Sequence, residues 1–348
     1  TSVDPSRISV ARTRITLGCG SVGLVELKVR WFERFCQAIA HDFDSCLSAY
    51  NPIDFGRPGI QLIGAFSFSD SVSRSLAANR TKQLRHREGI ARRAYLAVSK
   101  WLGVKERPLK SRGDSIFANS RWTQGMLAKH FGIESAPILY PPVVLPEQRS
   151  ESTRDPFGFV CLGRSAPEKS VDRVVRILNQ VRERGFPVEL HLVGSLDDSD
   201  FSRTFAKEIE VYDWIIPEGF LNLEQKQALI SSQSFALHAC QIEAFGIAVA
   251  EMAALGCIPF VPKRGGSSEI VPIEALRYDS DAEAVDKICR LLSDPAETEV
   301  LRGRLAASLD RFGSDVFMKQ LRLHVAAAEG AEDEESHGSS KQVLAAAL

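Results

Sequence analysis

The feature of the sequence that most restricts its fold is a short helical segment without a polar face. Between residues 247 and 255 every residue is apolar or small except Glu251. A helix that is apolar on all sides lies inside a protein, so this segment predicts a helix surrounded by other elements. A buried carboxylate is costly unless hydrogen-bond donors satisfy it. Because the helix itself offers Glu251 no donor, we predict that an outside molecule satisfies this carboxylate.

The segments that flank this helix predict a strand, a loop and a second strand. The apolar runs at residues 234–238 and 257–261 suit buried strands. Glu243 and Gly246 lie in the polar loop before the helix. Glycine lets a ligand approach the backbone, and the N–H groups at a helix start attract anions. The two carboxylates and the helix terminus together predict a sugar-nucleotide pocket, in which the acids bind hydroxyl groups and the N–H groups bind phosphate.

These motifs resemble the donor-site signature of family 4 retaining glycosyltransferases, which have the GT-B fold. The resemblance rests on Glu243 and Glu251 around a Phe-Gly-Ile, on the run Glu-Met-Ala-Ala-Leu-Gly, and on a later Gly-Gly-x-x-Glu-Ile-Val. Two glutamates at this spacing are common by chance, but the whole run is specific. The resemblance implies an α/β chain of two Rossmann-like lobes with a cleft between them. It also implies a hexosyltransferase that uses a nucleoside-diphosphate sugar and retains the sugar's configuration.

A second motif, Gly163-Arg164 followed by Glu168-Lys169, resembles the diphosphate clamp of the same family. A guanidinium binds two phosphate oxygens at once and an ammonium adds a point charge. Taken alone, the two cations also fit surface positions at a helix start. With the resemblance, catalytic roles are implied for Arg164, Lys169 and Glu243. The residues for which it implies donor binding are Gly163, His238, Ala244, Phe245, Gly246, Ile247 and Glu251.

Within that site, the resemblance implies a separate task for each group. Backbone N–H groups near Gly246 and Ile247 hold the outer phosphate, Glu251 binds the ribose hydroxyls, and Glu243 binds the sugar hydroxyls. His238 either approaches the donor sugar or caps a strand end, and both interpretations stay open. No metal or other cofactor is expected, since the nucleoside-diphosphate sugar is a co-substrate. The aspartates at 197, 198 and 200 lack the glycine and distal glutamate of a calcium loop, so we interpret them as a solvated turn.

Length and composition indicate two domains and a tail. The chain has 348 residues, which favours about two domains. A polar linker at 146–155 separates an N-terminal, acceptor-side Rossmann-like domain at 1–145, which is short or incomplete, from a donor-binding domain at 156–328. Residues 329–348 are acidic and then small, which predicts a disordered tail.

Apolar periodicity and turn residues predict alternating strands and helices, as in a parallel sheet. Asn119 and Ser120 offer an N-cap for a helix over residues 121–131. A further helix begins near Val171, and residues 215–220 correspond to a loop that lies beside the nucleobase in relatives. Strands are predicted at 59–66, 116–119, 138–140, 157–162, 188–194 and 276–278, and helices at 35–44, 223–230, 282–292, 296–309 and 314–328.

Charge and cysteine usage exclude several classes of protein. A net charge of −1 gives no electrostatic case for nucleic acid. No apolar run approaches the roughly 20 residues of a membrane span. The seven cysteines are scattered without a CxxC pair, which favours buried thiols in a reducing, cytoplasmic compartment. No G-x-G-x-x-G follows an early strand, which disfavours a dinucleotide-binding oxidoreductase.

A basic belt at residues 71–113 contains twelve lysines or arginines against two acids. Within it Ile90, Ala94, Val98 and Trp101 recur at helical spacing. One interpretation is peripheral contact with an anionic membrane or a lipid-phosphate acceptor. The other, which we favour, is a solvated helix face whose apolar stripe packs on the domain. The acceptor itself is expected to be a carbohydrate or a lipid-linked sugar.

Two departures from the family pattern favour other functions. Many relatives carry a histidine after the strand that residues 59–66 resemble, and Gly64 stands there in this chain. The Gly18-Cys19-Gly20 turn also matches the family's first glycine-rich turn poorly. The short N-terminal domain and Gly64 favour a non-catalytic or partial protein that binds nucleotide sugars without transferring them. A different GT-B enzyme, such as a sugar-nucleotide epimerase, is the remaining alternative.

Overall fold

The computed structural model describes residues 25–66, 107–144, 153–195, 200–330 and 343–346, with single residues at 69, 72, 76, 94, 97, 98 and 101. The chain divides into two compact units. The first comprises Thr1–Phe117 and Glu334–Leu348, and the second comprises Ala118–Asp333. Across the described ranges, no helix combines the length and the apolar character that crossing a membrane requires.

The first unit is built on a four-stranded sheet with the order β10-β1-β2-β3. Strand β1 lies between β10 and β2 and runs parallel to both. The long helix α1 (Val25–Ile39) and the 3-10 turn Ala40–Asp42 precede the sheet, so the helix predicted at 35–44 captured only their C-terminal part. The strands of this sheet are β1 (Ser45–Ser48), β2 (Ile60–Ile63), β3 (Ser115–Ala118) and β10 (Val343–Ala346).

The C-terminal segment contains a strand, so the prediction of a wholly disordered tail is wrong. Val343 pairs with Ser45 and Ala346 pairs with Ser48 in the parallel register of β10 and β1. The pairing depends on backbone hydrogen bonds, which composition does not reveal, and the segment lacks an alternating pattern. Residues 331–342 of the predicted tail lie outside the described residues.

The second unit contains a six-stranded sheet with the order β6-β5-β4-β7-β8-β9, and every strand pair is parallel. Its strands are β4 (Asp155–Leu162), β5 (Glu189–Val193), β6 (Ile215–Gly219), β7 (Gln233–Leu237), β8 (Ile258–Pro262) and β9 (Arg277–Tyr278). Successive strands β4, β5 and β6 add in one direction, whereas β7, β8 and β9 add in the other. The order therefore reverses between β4 and β7.

Five helices connect these strands, as parallel pairing requires: α3 (Val171–Glu183), α4 (Asp200–Ile209), α5 (Leu223–Ser232), α6 (Ile247–Ala254) and α7 (Ser267–Ile270). Helix α2 (Arg121–Phe131) precedes β4, and α8 (Asp281–Leu292), α9 (Pro295–Ala307) and α10 (Ser314–Gly330) follow β9. Two predicted details differ. Residues 138–140 form only one bridge, between Ile138 and Ala118, and the loop expected at 215–220 is strand β6 followed by Phe220.

Helix α6 lies in the core of the second unit, as its apolar sequence predicts. Its buried residues are Val249, Ala250, Met252, Ala253 and Ala254. Ile247 is 49% exposed and Glu251 is half-buried. Residues four apart share one helix face, so these two side chains lie on one accessible strip of α6.

Most of the basic belt at 71–113 lies outside the described residues, including Ile90 of the apolar stripe, and so does the Gly18-Cys19-Gly20 turn. The described residues of the belt include two groups, arginines that pair with an acid and apolar side chains that are exposed. Arg107 lies 2.5 Å and Arg112 3.9 Å from Asp54, in the first unit. Trp101 is 83% exposed and Val98 is 52% exposed, so these two stripe residues do not pack on the domain as the favoured interpretation expects.

Candidate functional site

The predicted donor-binding residues gather at the carboxyl ends of two neighbouring strands. Gly163 follows β4 directly and His238 follows β7 directly. The two strands pair in parallel, with Val160 opposite Ala236. Because the strand order reverses between them, this edge is a topological switch point, where open α/β sheets bind ligands. The loops after β4 and β7 therefore emerge on the same side of the second unit.

Three of the predicted residues form a cluster at this edge. Lys169 Nζ donates a hydrogen bond to Glu243 Oε2 over 2.7 Å. His238 Nε2 lies 3.5 Å from the same oxygen. Lys169 belongs to the loop after β4, whereas the other two residues belong to the loop after β7. The structure thus joins a cation to a carboxylate 74 positions away in the sequence.

Burial and neighbouring charges set the ionisation of this cluster. Burial raises the pKa of Glu243, but His238 and the Lys169 ammonium lower it by a larger amount. The resulting pKa of Glu243 is about 2. Burial lowers the pKa of Lys169, and the Glu243 carboxylate more than reverses this. The pKa of His238 is raised as well, because the nearby Cys240 and Glu243 outweigh its burial. At neutral pH the site therefore holds an ionised Lys169–Glu243 pair.

The loop that carries Glu243 is fixed from two sides by its backbone. The Ser120 hydroxyl donates to the Ala244 carbonyl over 2.5 Å, and the Gly266 N–H donates to the Glu243 carbonyl over 2.7 Å. Phe245 is 2% exposed and packs against two other aromatic rings, those of Tyr140 and Phe312. Ala244 and Phe245 therefore fix the loop to the rest of the second unit. A ligand would contact these two residues through their backbone atoms.

Gly246 is the N-cap of α6 and adopts a φ of 102°, which glycine tolerates far better than other residues. A Cβ at this position would lie 3.3 Å from Glu243 Cγ. Among the described side chains, none caps this terminus, and the first N–H groups of a helix lack intrahelical partners. The exposed Ile247 follows at once. The terminus is thus arranged to receive an anion beside Glu243.

The predicted diphosphate clamp is only partly assembled. Lys169 is in the cluster, but the Arg164 side chain is 63% exposed and pairs with Glu168 at 3.4 Å. Gly163 has a φ of 153°, and a Cβ at Gly194 would lie 2.0 Å from the Gly163 carbonyl oxygen. The backbone segments that follow the carboxyl ends of β4 and β5 therefore approach each other closely at the start of this loop.

A small cavity lies beside the cluster, at the carboxyl ends of β4, β5 and β6. It is lined by Cys161, Gly163, Ser165, Val171, Leu192, Val193, Gly194, Pro217 and Gly219. Phe220, the first residue after β6, is 88% exposed. Three of the lining residues, Gly163, Gly194 and Gly219, bring backbone atoms to the surface of this cavity.

Glu251 has a partner within the protein, so the prediction that an outside molecule must satisfy it is wrong. Lys226 Nζ of α5 donates to Glu251 Oε2 over 3.1 Å. The Glu251 side chain is also 31% exposed rather than buried. Helix periodicity reports that α6 is enclosed, but it does not reveal a lysine 25 positions away on another helix. A role for Glu251 in ribose binding stays a prediction.

Other residues discussed from the sequence have structural partners. His191 Nδ1 lies 2.7 Å from Glu218 Oε1, in neighbouring strands β5 and β6. Asp200 begins α4 and pairs with Arg203 at 2.5 Å, so it is not part of a turn. Positions 197 and 198 lie outside the described residues.

Sequence reasoning missed three residues at this edge. Lys226 pairs with Glu251, and Cys240 is buried between His238 and Glu243. Ser170, which follows Lys169, adopts a φ of 53°, a backbone conformation that is rare for residues other than glycine and is often found at functional sites. Only Cys240 could have been found from the sequence, since it lies in the same short loop as two predicted residues.

Comparison with known proteins identifies a related family for most of the second unit. Residues 146–304 match the family model described as glycosyl transferases group 1. The matched segment covers just under half of the chain. It contains the full cluster of Lys169, His238 and Glu243, together with Arg164 and Glu251.

A curated relative supports the same assignment at low identity. The GDP-Man:Man(3)GlcNAc(2)-PP-Dol alpha-1,2-mannosyltransferase of Dictyostelium discoideum is 25% identical over 236 residues. The alignment covers 60% of this chain and 46% of that protein. The chain thus spans about half the length of the curated relative it matches.

Several solved structures share the fold. Anabaena HepE, solved with UDP and glucose, gives a TM-score of 0.64 at 16% identity, covering 90% of this chain and 84% of HepE. WaaG, a glycosyltransferase involved in lipopolysaccharide biosynthesis, gives 0.58 at 15% identity, covering 88% and 81%. Together with the two parallel sheets, these likenesses confirm the predicted GT-B type of α/β fold.

Proposed function

We propose that this chain is a retaining glycosyltransferase of family 4, which moves a hexosyl group from a nucleoside-diphosphate sugar to an acceptor. The observation that carries the proposal is the cluster of Lys169, His238 and Glu243 at the switch point, beside the N-terminus of α6. The group 1 match over residues 146–304 supports the same activity.

The cluster supplies the groups that such a transfer needs. A diphosphate gains negative charge as the glycosidic bond breaks, and the Lys169 ammonium and the exposed Arg164 guanidinium would stabilise it. The α6 terminus at Gly246 and Ile247 would hold the outer phosphate. Glu243, ionised through its pair with Lys169, would accept hydrogen bonds from the sugar, with His238 beside it. We assign no metal or other cofactor to this reaction.

Glu251 is assigned to the ribose hydroxyls on more limited grounds. Lys226 occupies its Oε2 atom at 3.1 Å, and 31% of the side chain remains accessible on the exposed strip of α6. This strip begins at Ile247, next to the proposed phosphate position. The ribose and the diphosphate of one donor would therefore lie along the same helix.

Donor binding tests the proposal directly. Isothermal titration should include UDP-, GDP- and ADP-sugars, because the names of the curated and solved relatives contain both GDP and UDP. We expect this chain to bind the sugars of one base more tightly than the others. Lys169→Ala and Glu251→Ala should each weaken binding by roughly tenfold or more, the effect of losing a hydrogen bond with a charged group. Glu299→Ala, at a 70% exposed site on α9, is the matched control. Unchanged affinity in Glu251→Ala would refute the ribose assignment.

A second candidate, a protein that binds donor but does not transfer it, is favoured by Gly64. A Cβ at this position would lie 2.6 Å from Tyr50 Cδ2, so Tyr50 fills the space of the side chain that many relatives place there. Incubation with a labelled donor and acceptors separates the two candidates. A glycosylated product with retained configuration supports the transferase, and donor binding without turnover supports the alternative.

The acceptor and the location follow as further proposals. A carbohydrate or lipid-linked acceptor is supported by the name of the curated relative, which acts on a dolichol-linked glycan. A cytoplasmic location is supported by the thiols. The described cysteines, namely Cys36, Cys46, Cys161, Cys240, Cys257 and Cys289, are all free and buried, as in a reducing compartment.

A further inference from the structure

Cys240 places a thiol inside the proposed donor site, where the donor contacts make no use of one. Its residue surface is 2% exposed. Its Sγ, a ring nitrogen of His238 and a carboxylate oxygen of Glu243 all lie within 4.8 Å of one another. Thiolate, imidazole and carboxylate are the three side-chain ligand types found in zinc sites.

His238 contributes an atom without a hydrogen-bond partner. Its Nε2 is buried and makes no hydrogen bond with any described residue, since the nearest carboxylate oxygen, Glu243 Oε2, is 3.5 Å away. That distance is long for a hydrogen bond. Ligand atoms around a tetrahedral zinc, with bonds of 2.0–2.3 Å, lie about 3.5 Å apart. The pair therefore has the spacing of two ligands that share one ion.

We propose that His238, Cys240 and Glu243 form a binding site for a soft divalent cation, best suited to Zn²⁺. A thiolate ligand favours zinc over magnesium or calcium, which prefer oxygen. On binding, the Cys240 S–H bond breaks, a sulfur–zinc bond forms and the proton passes to solvent. Three protein ligands leave a fourth position for water. The cation acts here as a competitor of the donor and takes no part in the transfer reaction.

Lys169 is the group that such a cation would displace. Its Nζ lies 2.7 Å from Glu243 Oε2, and a dication bound to that oxygen would repel the ammonium. The Lys169 side chain is 31% exposed, so it can turn toward solvent. Lys169→Met should therefore tighten zinc binding. Inhibition of donor binding by zinc rests on the proposed function, whereas the metal site does not.

Titration of the full chain with metal alone tests the site. The parent should bind one Zn²⁺ with an affinity that falls by at least about tenfold in Cys240→Ser, since changes outside the ligand set already cost 10–100-fold. Co²⁺ should produce a sulfur-to-metal charge-transfer band in the parent that Cys240→Ser lacks. Cys289→Ser, which removes another buried thiol on α8, should change neither result.

The outcomes separate the site from the proposed function. Equal Zn²⁺ affinity in the parent, Cys240→Ser and a second variant, His238→Gln, would overturn the site, provided that circular dichroism shows each variant folded. A cobalt band that survives in Cys240→Ser would overturn it as well. Donor titration without metal tests the transferase separately. A chain that binds zinc through Cys240 but no nucleotide sugar would support the metal site and refute the proposed function.

Discussion

The charge of Glu243 depends strongly on the groups that surround it. Its pKa is about 2 in the folded chain against 4.5 ordinarily. Since the folded value is the lower one, the ionised carboxylate adds to the free energy of unfolding above about pH 4.5, and this contribution is lost as the pH falls toward 2. The difference of about 2.5 between the two pKa values corresponds to on the order of 3 kcal/mol. We expect the parent to exceed Glu243→Gln in stability at neutral pH by a margin that narrows on acidification.

Urea unfolding of both proteins at about pH 7, 5 and 3 measures this margin. Glu299→Gln, at an exposed site on α9, is the control and should show a small, constant difference from the parent. At neutral pH the variant leaves Lys169 without its carboxylate and is less stable than the parent for that reason, and the change of the margin with pH reports the titration of Glu243. A margin between parent and Glu243→Gln that stays constant over this range would contradict the prediction.

At this scale the sequence predicts which residues lie near one another better than it predicts which side chains they contact. The family resemblance grouped Gly163, His238, Glu243 and Gly246 in one site, and the structure places Gly163 and His238 directly after the neighbouring strands β4 and β7. The partner of Glu251 was missed because Lys226 reaches it from a different helix. The hydrophobic periodicity of a helix indicates the direction in which a side chain such as Glu251 points. Its charged partner, here Lys226, is set by packing between segments that are distant in the sequence.

The loop from Glu243 to Gly246 is held by a second loop, and Gly266 controls the distance between them. A Cβ at Gly266 would lie 2.0 Å from the Ala244 carbonyl oxygen and 2.7 Å from Phe245 Cα. Because both neighbours are backbone atoms, Gly266→Ala must move the loop. We expect the free energy of unfolding to fall by about 1–3 kcal/mol. Donor affinity should fall by roughly tenfold or more, since the displaced loop carries Glu243.

Thermal unfolding and donor titration measure the two effects. Gly303→Ala is the matched control, because it lies within α9 and a Cβ there meets no atom within 4 Å. Alanine in a helix is favoured over glycine by about 1 kcal/mol, so the control should be neutral or stabilised. Normal donor affinity in Gly266→Ala would show that the second loop does not position Glu243.

Elements with local signals were predicted well, and elements without them were not. Helix α2 was predicted with its observed bounds, because Ser120 caps it by accepting from the Thr123 N–H and Gly132 ends it with a φ of 64°. The strands of the second unit other than β6, which was expected to be a loop, were predicted within about two residues, since buried parallel strands are continuous apolar runs. Strand β1, with the sequence SCLS, was missed because it is short and half polar.

At the scale of the whole molecule, the sequence predicts the six-stranded sheet more fully than the first unit. Strand β10 shows why. It joins β1 across almost the full length of the chain, with Cys46 opposite Leu344, and a contact between such distant segments leaves no periodic signal. The alternation of strands and helices indicated a parallel sheet and the family resemblance implied two α/β lobes, but neither revealed the strand that borders the first sheet.

The β10 pairing yields a prediction about the first sheet. Successive N–H groups of a strand point to opposite sides, so replacing both Leu344 and Ala345 with proline removes a donor toward β1 whichever residue supplies it. The amides of β1 that face β10 should then exchange with deuterium faster, because their partner strand is lost. Those that face β2 should change little. Leu344→Ala with Ala345→Ser retains both N–H groups and is the control.

Hydrogen exchange resolved to single residues checks this pattern, and the second unit provides an internal standard. Strands β4 and β7 pair with each other and not with β10, so their exchange should be unaffected by either double variant. The proline variant should also lower the free energy of unfolding of the first unit, because β1 becomes an edge strand with unpaired backbone groups. Equal protection of the Ser45–Ser48 amides in the proline and control variants would mean that β10 does not stabilise the sheet in solution.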